Sequence, residues 1–354
     1  MHILLEKYFS FIQKFLPKQS EDVYTSVGLD VGASTCRFVE LAQTPEGFSV
    51  VGWGEQSTKA SDVVGSVRDL IAQMEVPSDN IFTSVQGKGT LIRYISMPKM
   101  SADEARESFA IESEKYFPFS QEQIFTDCFV VDENAGDDTI GIMAAASKKE
   151  IVNERIDMFN ELDIKPDYIG INSVALANAV SVLGTGYEIS DDAAIGILDM
   201  GDTISSLTIL HKNVPQFSRD IYVGGHELTK RIGNSFGVEY NEAVALKIEP
   251  GDRLEDIKNA CESPLSNIMQ EIRLSFDYFQ SEKNVEVTHL IVTGGSAKLE
   301  GLMEMFRQNL EIEVNLWDPS KLLNVADNVN KEDFEKNIAT MGVAIGLALY
   351  HYDD

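Results

Sequence analysis

The sequence predicts an α/β protein of two related lobes, and three observations carry that prediction. The segment Leu29-Asp30-Val31-Gly32-Ala33-Ser34-Thr35 reads as a strand, a tight turn and the start of a return strand. The segment Leu198-Asp199-Met200-Gly201-Asp202-Thr203-Ile204 repeats it, with Leu, Asp and Gly at the same offsets. Each opens a run of three β-rich stretches followed by a helical one, and self-similarity of this kind marks duplicated units. The third observation is a late strand, His289–Val292, that ends in Thr293-Gly294-Gly295-Ser296 ahead of a helix.

The elements follow in order. Val27–Leu29, Arg37–Leu41 and Phe48–Gly52 are strands, and Asp62–Met74 has helical apolar spacing. Asn80–Val85 and Leu91–Met97 are two more strands around Gly87-Lys88-Gly89. Ser101-Ala-Asp-Glu104 is a capping box, so a helix starts at Ser101 and runs to about Tyr116, stopped by Pro118. Strands near Ile124–Val131 and Thr139–Ala146 and a helix over Lys148–Leu162 complete an inserted unit. Pro166–Ile171 is a strand, Ser173–Leu183 a helix and Gly184–Asp192 a polar hinge. Ala194–Leu198, Ser206–His211 and Gln216–Ile221 then repeat the three-strand texture. Helices follow at Glu227–Phe236, Asn241–Lys247, Arg253–Lys283 and Leu299–Leu310, and a largely apolar helix around Met341–Leu349 closes the chain.

These elements divide the chain as follows. Residues 1–20 form an N-terminal amphipathic helix. Residues 21–97, 165–185 and 333–354 form the first lobe, and 98–164 a small inserted α+β subdomain. Residues 186–332 form the second lobe, with its helical part at about 231–284.

Composition sets limits. The 354 residues suffice for more than one core, and 44% apolar with 24% charged residues fits a globular chain in water. A net charge of −28 repels phosphate backbones, so nucleic-acid binding is not expected. Cys36, Cys128 and Cys261 are scattered and odd in number, which fits free thiols in a reducing compartment. The five histidines lack short ligand spacing, so no His-based metal site is expected. No apolar run reaches the length of a membrane-spanning helix. Residues 1–20 place Leu4, Leu5, Tyr8, Phe11, Ile12 and Phe15 on one helical face, with Lys7, Lys14 and Lys18 nearby. Such a helix either lies on a membrane surface or packs on the protein.

The paired hairpins carry chemistry. An Asp at the end of a buried strand is costly unless something satisfies it, and a hydrated Mg²⁺ is one such partner. The Gly permits a sharp turn, after which backbone N–H groups and hydroxyls can meet phosphate oxygens. Asp30 and Asp199 are therefore the candidate Mg²⁺ residues, acting through water, and Asp199 is the candidate catalytic group. Gly32, Ala33, Ser34, Thr35, Gly201, Asp202 and Thr203 are candidate phosphate contacts. Arg37 either reaches phosphate or pairs with a nearby carboxylate. Gly224-Gly225 and Gly294-Gly295-Ser296 allow close backbone approach to a ligand. Each Asp-x-Gly taken alone is also consistent with a plain hairpin.

Together these residues resemble the actin, Hsp70 and sugar-kinase superfamily, and within it the PilM family of actin-like type IV pilus assembly proteins. The similarity extends to Met97-Pro98, to Ser101–Pro118 with Glu114–Phe119, to Phe217–Ile221 with Gly224-Gly225, and to Glu271–Gln280. The resemblance implies a two-lobed actin-like (ribonuclease-H-like) ATPase fold, binding of ATP with Mg²⁺, and docking of the cytoplasmic tail of a PilN-like inner-membrane protein. It places the chain in the cytoplasm, peripheral to the inner membrane. Ile92, Tyr94, Phe109 and Phe117 are candidate liners of the tail groove, with core packing as the alternative.

Three departures stand out. Arg37 replaces a Lys usual in the family. Tyr168-Ile-Gly-Ile-Asn-Ser173 lacks the acidic residues found there in relatives, so binding with slow or absent hydrolysis is expected. Val314–Ser320 differs from the usual turn, and Trp317 either packs beneath it or stacks near the base. Two other functions share the fold: a small-molecule kinase using Asp199, and an FtsA-like filament former.

Overall fold

The computed structural model describes residues 24–74, 80–190 and 192–350. The amphipathic helix expected over 1–20 lies outside the described residues.

Two sheets repeat one plan. In the first lobe β1 (Thr25–Val31), β2 (Thr35–Thr44) and β3 (Gly47–Ser57) form an antiparallel meander. Strands β4 (Ile81–Val85) and β8 (Tyr168–Ile171) then add in parallel beyond β1. In the second lobe β9 (Ala194–Met200), β10 (Ser205–His211) and β11 (Val214–Ile221) form the meander, and β12 (Val287–Thr293) and β13 (Glu313–Leu316) add in parallel beyond β9. The duplication read from Asp30 and Asp199 is thus a duplication of topology. β1 and β9 are central and covered on both faces, which explains their nearly unbroken apolar sequence.

Two helices fill the space between the sheets. α4 (Asn172–Leu183) and α10 (Gly342–Leu349) share one core with Val39, Leu41 and Phe82 of the first sheet and Ile195, Ile197 and Ile291 of the second, to which α9 (Lys331–Asn337) adds Phe334. Both helices are apolar nearly all round, as helices buried on every side must be. The outer face of the first sheet is covered by α1 (Val63–Ile71) and α3 (Lys149–Glu161). The outer face of the second is covered by α5 (Gly225–Phe236), α7 (Leu254–Lys283) and α8 (Leu302–Leu310), with α6 (Tyr240–Ile248) contributing Ala243.

The inserted unit is a three-stranded antiparallel sheet, β5 (Thr90–Pro98), β7 (Thr139–Lys148) and β6 (Ile124–Gly136), backed by α2 (Ala102–Glu112). The capping box forms: Ser101 N–H donates to Glu104 Oε2 at 2.9 Å, and Ser101 Oγ accepts from the Glu104 N–H. Ser101→Ala should cost about 1 kcal/mol. Hydrogen exchange in α2 should quicken accordingly, and unchanged exchange would refute the cap's contribution.

Three details differ from the sequence expectations, and two open alternatives resolve to core packing. β5 pairs with β7 along its whole length, so the inserted sheet begins at Thr90 rather than after residue 97. α3 was expected inside the insert, yet Met158 and Phe159 bury into the first-lobe core. β14 (Asn324–Val325) was expected in the second lobe, yet it pairs with β3 of the first. Phe109 and Phe117 do not line a groove. They are buried in the insert's own core, rings 6.0 Å apart and edge to face. Trp317 is fully buried between the lobes and donates from Nε1 to Gly184 O at 3.2 Å, which excludes stacking on a base.

Candidate functional site

Strand alternation puts one row of polar side chains on the inner face of each sheet. In the first lobe the row is Asp30–Arg37–Glu55, one residue from each meander strand in direct register. In the second it is Asp199–Ser206–Asp220, again one residue from each strand. The rows occupy equivalent positions and face each other across the cleft. The turns match as well. A Cβ on Gly32 would lie 2.6 Å from Thr35 O, and one on Gly201 would lie 2.6 Å from Ile204 O.

The lobes approach closely here. A Cβ on Gly295 would sit 3.7 Å from Arg37 Nη2, so the first lobe's guanidinium reaches the second lobe's Gly-Gly turn. Gly294 has φ +95° and its backbone packs onto the Asp199 carboxylate. A Cβ there would fall 2.7 Å from Met200 O. The Gly294 N–H donates to Ala339 O at 2.9 Å, tying the turn to the segment before α10.

Charge is unbalanced in the cleft. Burial raises the Asp30 carboxyl above its ordinary range, opposed by Arg37 and by Arg155. Arg155 also donates from Nη2 to Val31 O at 3.3 Å. Burial, then repulsion from Asp30, pushes Asp199 up to about 7, with Arg37 opposing and Asp220 adding to the rise. Arg37 pairs with Glu55 at 3.5 Å. Its buried Nε nevertheless makes no hydrogen bond among the described residues. A buried carboxylate at Asp30, a desolvated one at Asp199 and a guanidinium N–H without a hydrogen bond suit a ligand that carries both a cation and anionic oxygens.

The remaining expected residues gather beside this centre. Gly225 N–H donates to Gly201 O at 2.9 Å, and His226 N–H to Asp202 O at 2.8 Å, so the Gly224-Gly225 turn is laced to the second hairpin. Ser296 Oγ donates to Gly201 O at 3.3 Å. Thr35 is half-buried at the end of its turn, while Ala33, Ser34 and Thr203 are exposed at the turn tips.

Several residues escaped the sequence reading. Lys247 from α6 donates to Thr229 Oγ1 at 2.8 Å and to Gly225 O at 3.3 Å. Burial lowers its pKa, with Asp202 opposing. Its signal was a lysine between Leu246 and Ile248 on a half-buried helix. The larger omission is a hydrogen-bond chain across the lobes. Asn172 Nδ2 donates to Gln86 Oε1 at 3.4 Å, Gln86 Nε2 to Ser206 Oγ at 2.8 Å, and Ser206 Oγ to Asp220 Oδ1 at 2.6 Å. The chain borders a cavity of about 190 Å³, also lined by Ile92, Arg93 and Ser173. Asp167, the acidic residue nearest Gly170, instead accepts from Ile81 N–H at 3.2 Å, at the opposite end of β8.

Two meander-and-parallel lobes with paired Asp-x-Gly hairpins on facing rows define the actin-like ATPase fold. The chain belongs to the family of type IV pilus assembly protein PilM, which matches residues 28–352. Its fold superposes on a solved PilM-PilN type IV pilus biogenesis complex with a TM-score of 0.83 at 21% identity, covering 93% of this chain and 99% of that one. Ethanolamine utilization protein EutJ from Carboxydothermus hydrogenoformans follows the same fold at TM-score 0.54 and 14% identity, over 92% of this chain and 89% of that one. Cell division protein FtsA of Enterococcus faecalis is 24% identical over 180 residues, which is 44% of this chain and 40% of FtsA. The match thus spans less than half of that relative. Among the described residues no helix is long and apolar enough to cross a membrane.

Proposed function

We propose that this pilus assembly protein binds ATP with Mg²⁺ between its lobes and turns it over slowly or not at all. In the same reading it docks the cytoplasmic tail of a PilN-like inner-membrane protein. The observation that carries the proposal is the pair of facing rows, Asp30–Arg37–Glu55 and Asp199–Ser206–Asp220. Among the described residues no group of three or more His, Cys, Asp or Glu side chains is arranged to hold an ion directly. Mg²⁺ suits two carboxylates that act through water, since it keeps waters and takes phosphate oxygens as its other ligands. Bound there, it supplies neutralising charge. Asp30 and Asp199 would hold its waters, Arg37 would meet phosphate with the Nη2 that reaches the Gly294-Gly295 turn, and the Gly224-Gly225 and Gly294–Ser296 turns would admit the nucleoside.

The partner's tail fits the neighbouring groove at the junction of insert and second lobe. Ile92 and Arg93 line it beside Ser206 and Asp220. A tail seated there touches both lobes, so it favours the closed arrangement that nucleotide also favours. The two ligands then strengthen each other by the same factor. The protein is accordingly a nucleotide-dependent scaffold on the cytoplasmic face of the inner membrane.

Titration of a labelled PilN-tail peptide with and without ATP and Mg²⁺ tests this. The expected result is about tenfold tighter peptide binding with nucleotide, abolished by Asp199→Ala. Equal affinity in both conditions refutes the coupling. Absence of any Mg²⁺-dependent ATP binding refutes the reading as a whole.

A further inference from the structure

The stretch before α4 lacks an acidic side chain, and that lack argues against water activation from the first lobe. The second lobe supplies what is missing. Asp220 stands on β11 in direct register with Ser206, which is in turn opposite Asp199. All three therefore project from the same face of the sheet, toward the cleft. Each donor in the chain Asn172, Gln86, Ser206 points the same way, so the chain terminates on the Asp220 carboxylate as acceptor. Gln86, Ser206 and Asp220 all line the 190 Å³ cavity, and Asp220 stands close enough to the Asp30–Asp199 centre to help raise the Asp199 carboxyl.

We propose that Asp220 accepts the proton of the hydrolytic water, with Gln86 and Ser206 as positioning residues. This rests on the nucleotide reading given above. The water oxygen bonds to the terminal phosphorus of a nucleoside triphosphate. The bond from that phosphorus to its bridging oxygen breaks, and the electron pair leaves with the nucleoside diphosphate. The water's proton passes to the Asp220 carboxylate and is released from it to phosphate or solvent. Burial raises the Asp220 carboxyl above its ordinary range, which makes it a better proton acceptor than an exposed carboxylate. Ser206 donates to the same carboxylate and opposes that rise. Because the acceptor sits on one lobe and Gln86 on the other, the pair is complete only when the lobes hold this spacing. Turnover then depends on closure as well as on occupancy.

The test uses the full chain with ATP and Mg²⁺, and reads nucleotide affinity by a fluorescent ATP analogue alongside single-turnover phosphate release. Asp220→Asn, assayed at nucleotide concentrations that saturate it, should release phosphate about a hundredfold more slowly than wild type. Asp220→Glu should recover part of that loss. Gln86→Ala should slow release about tenfold with affinity nearly unchanged. Wild-type release from an Asp220→Asn protein that binds nucleotide overturns the inference alone. So does a wild-type protein that binds nucleotide and never hydrolyses it. A wild-type protein that binds no nucleotide overturns the inference and the reading beneath it together.

Discussion

Replacing Asp199 by Asn raises the melting temperature of the nucleotide-free protein at about pH 8 and removes its stabilisation by ATP and Mg²⁺. The first half follows from burial. Asp199 titrates near 7 in the folded chain against 3.8 as its ordinary value, driven up by desolvation and by Asp30. Between those values the folded protein holds a proton that the unfolded chain has released. Stability therefore falls as pH rises through that window, and the penalty is complete above it. Its size is about 4 kcal/mol at most. An Asn carries no charge to bury, so the variant escapes the penalty. The second half follows from the proposed ligand, which needs the carboxylate it would otherwise neutralise. Thermal melts across pH check both. The difference between variant and wild type should be largest near pH 8 and vanish near pH 4. Coincident melts at pH 8 would contradict the burial argument.

Gly346→Ala is expected to destabilise the fold by about 3 kcal/mol. In most helices Ala at a Gly position is favourable by about 1 kcal/mol. Here the added Cβ would overlap the carbonyl oxygen of Ala175 and lie 2.5 Å from its carbonyl carbon. Backbone atoms cannot rotate aside as a side chain can, so α4 and α10 must separate. The opposite side of α10 offers no space, because Gly28 of β1 already packs against the Ala344 carbonyl. A urea denaturation midpoint shows the loss directly. A midpoint at or above that of wild type would show that the two helices can part without cost.

The hairpins were legible because their signal is local. Asp, Gly and the flanking apolar residues lie within a few positions of one another, and their repetition at Asp199 exposed the duplication. The capping box at Ser101 was legible for the same reason. What sequence could not supply was the sheet to which a strand belongs. Thr90–Pro98 alternates equally well for either sheet, and only its partner β7 assigns it to the insert. Met158 and Phe159 likewise look apolar whichever core receives them. The Gln86–Ser206–Asp220 chain was invisible because its members are separated by long stretches of chain, with Gln86 and Ser206 120 residues apart. Each alone is an ordinary polar residue. Phe109 and Phe117 stayed open between groove and core for the converse reason, since apolar spacing records burial without naming the neighbour.

One hydrogen bond has a consequence for the ribosome. Ser26 on β1 donates to the carbonyl of Ala348 on α10 at 2.6 Å, across 322 positions of sequence. The second sheet is drawn from the single stretch between Ala194 and Leu316 and can assemble as soon as that stretch has emerged. The first cannot. Its opening strand is among the first parts of the described chain to be synthesised, yet the helix that covers its inner face is among the last. During translation the second lobe is therefore complete while the first still exposes Val39, Leu41 and Phe82. Between the synthesis of Leu316 and that of Leu349 the nascent chain therefore carries one assembled sheet beside an open apolar face, the kind of surface that chaperones bind.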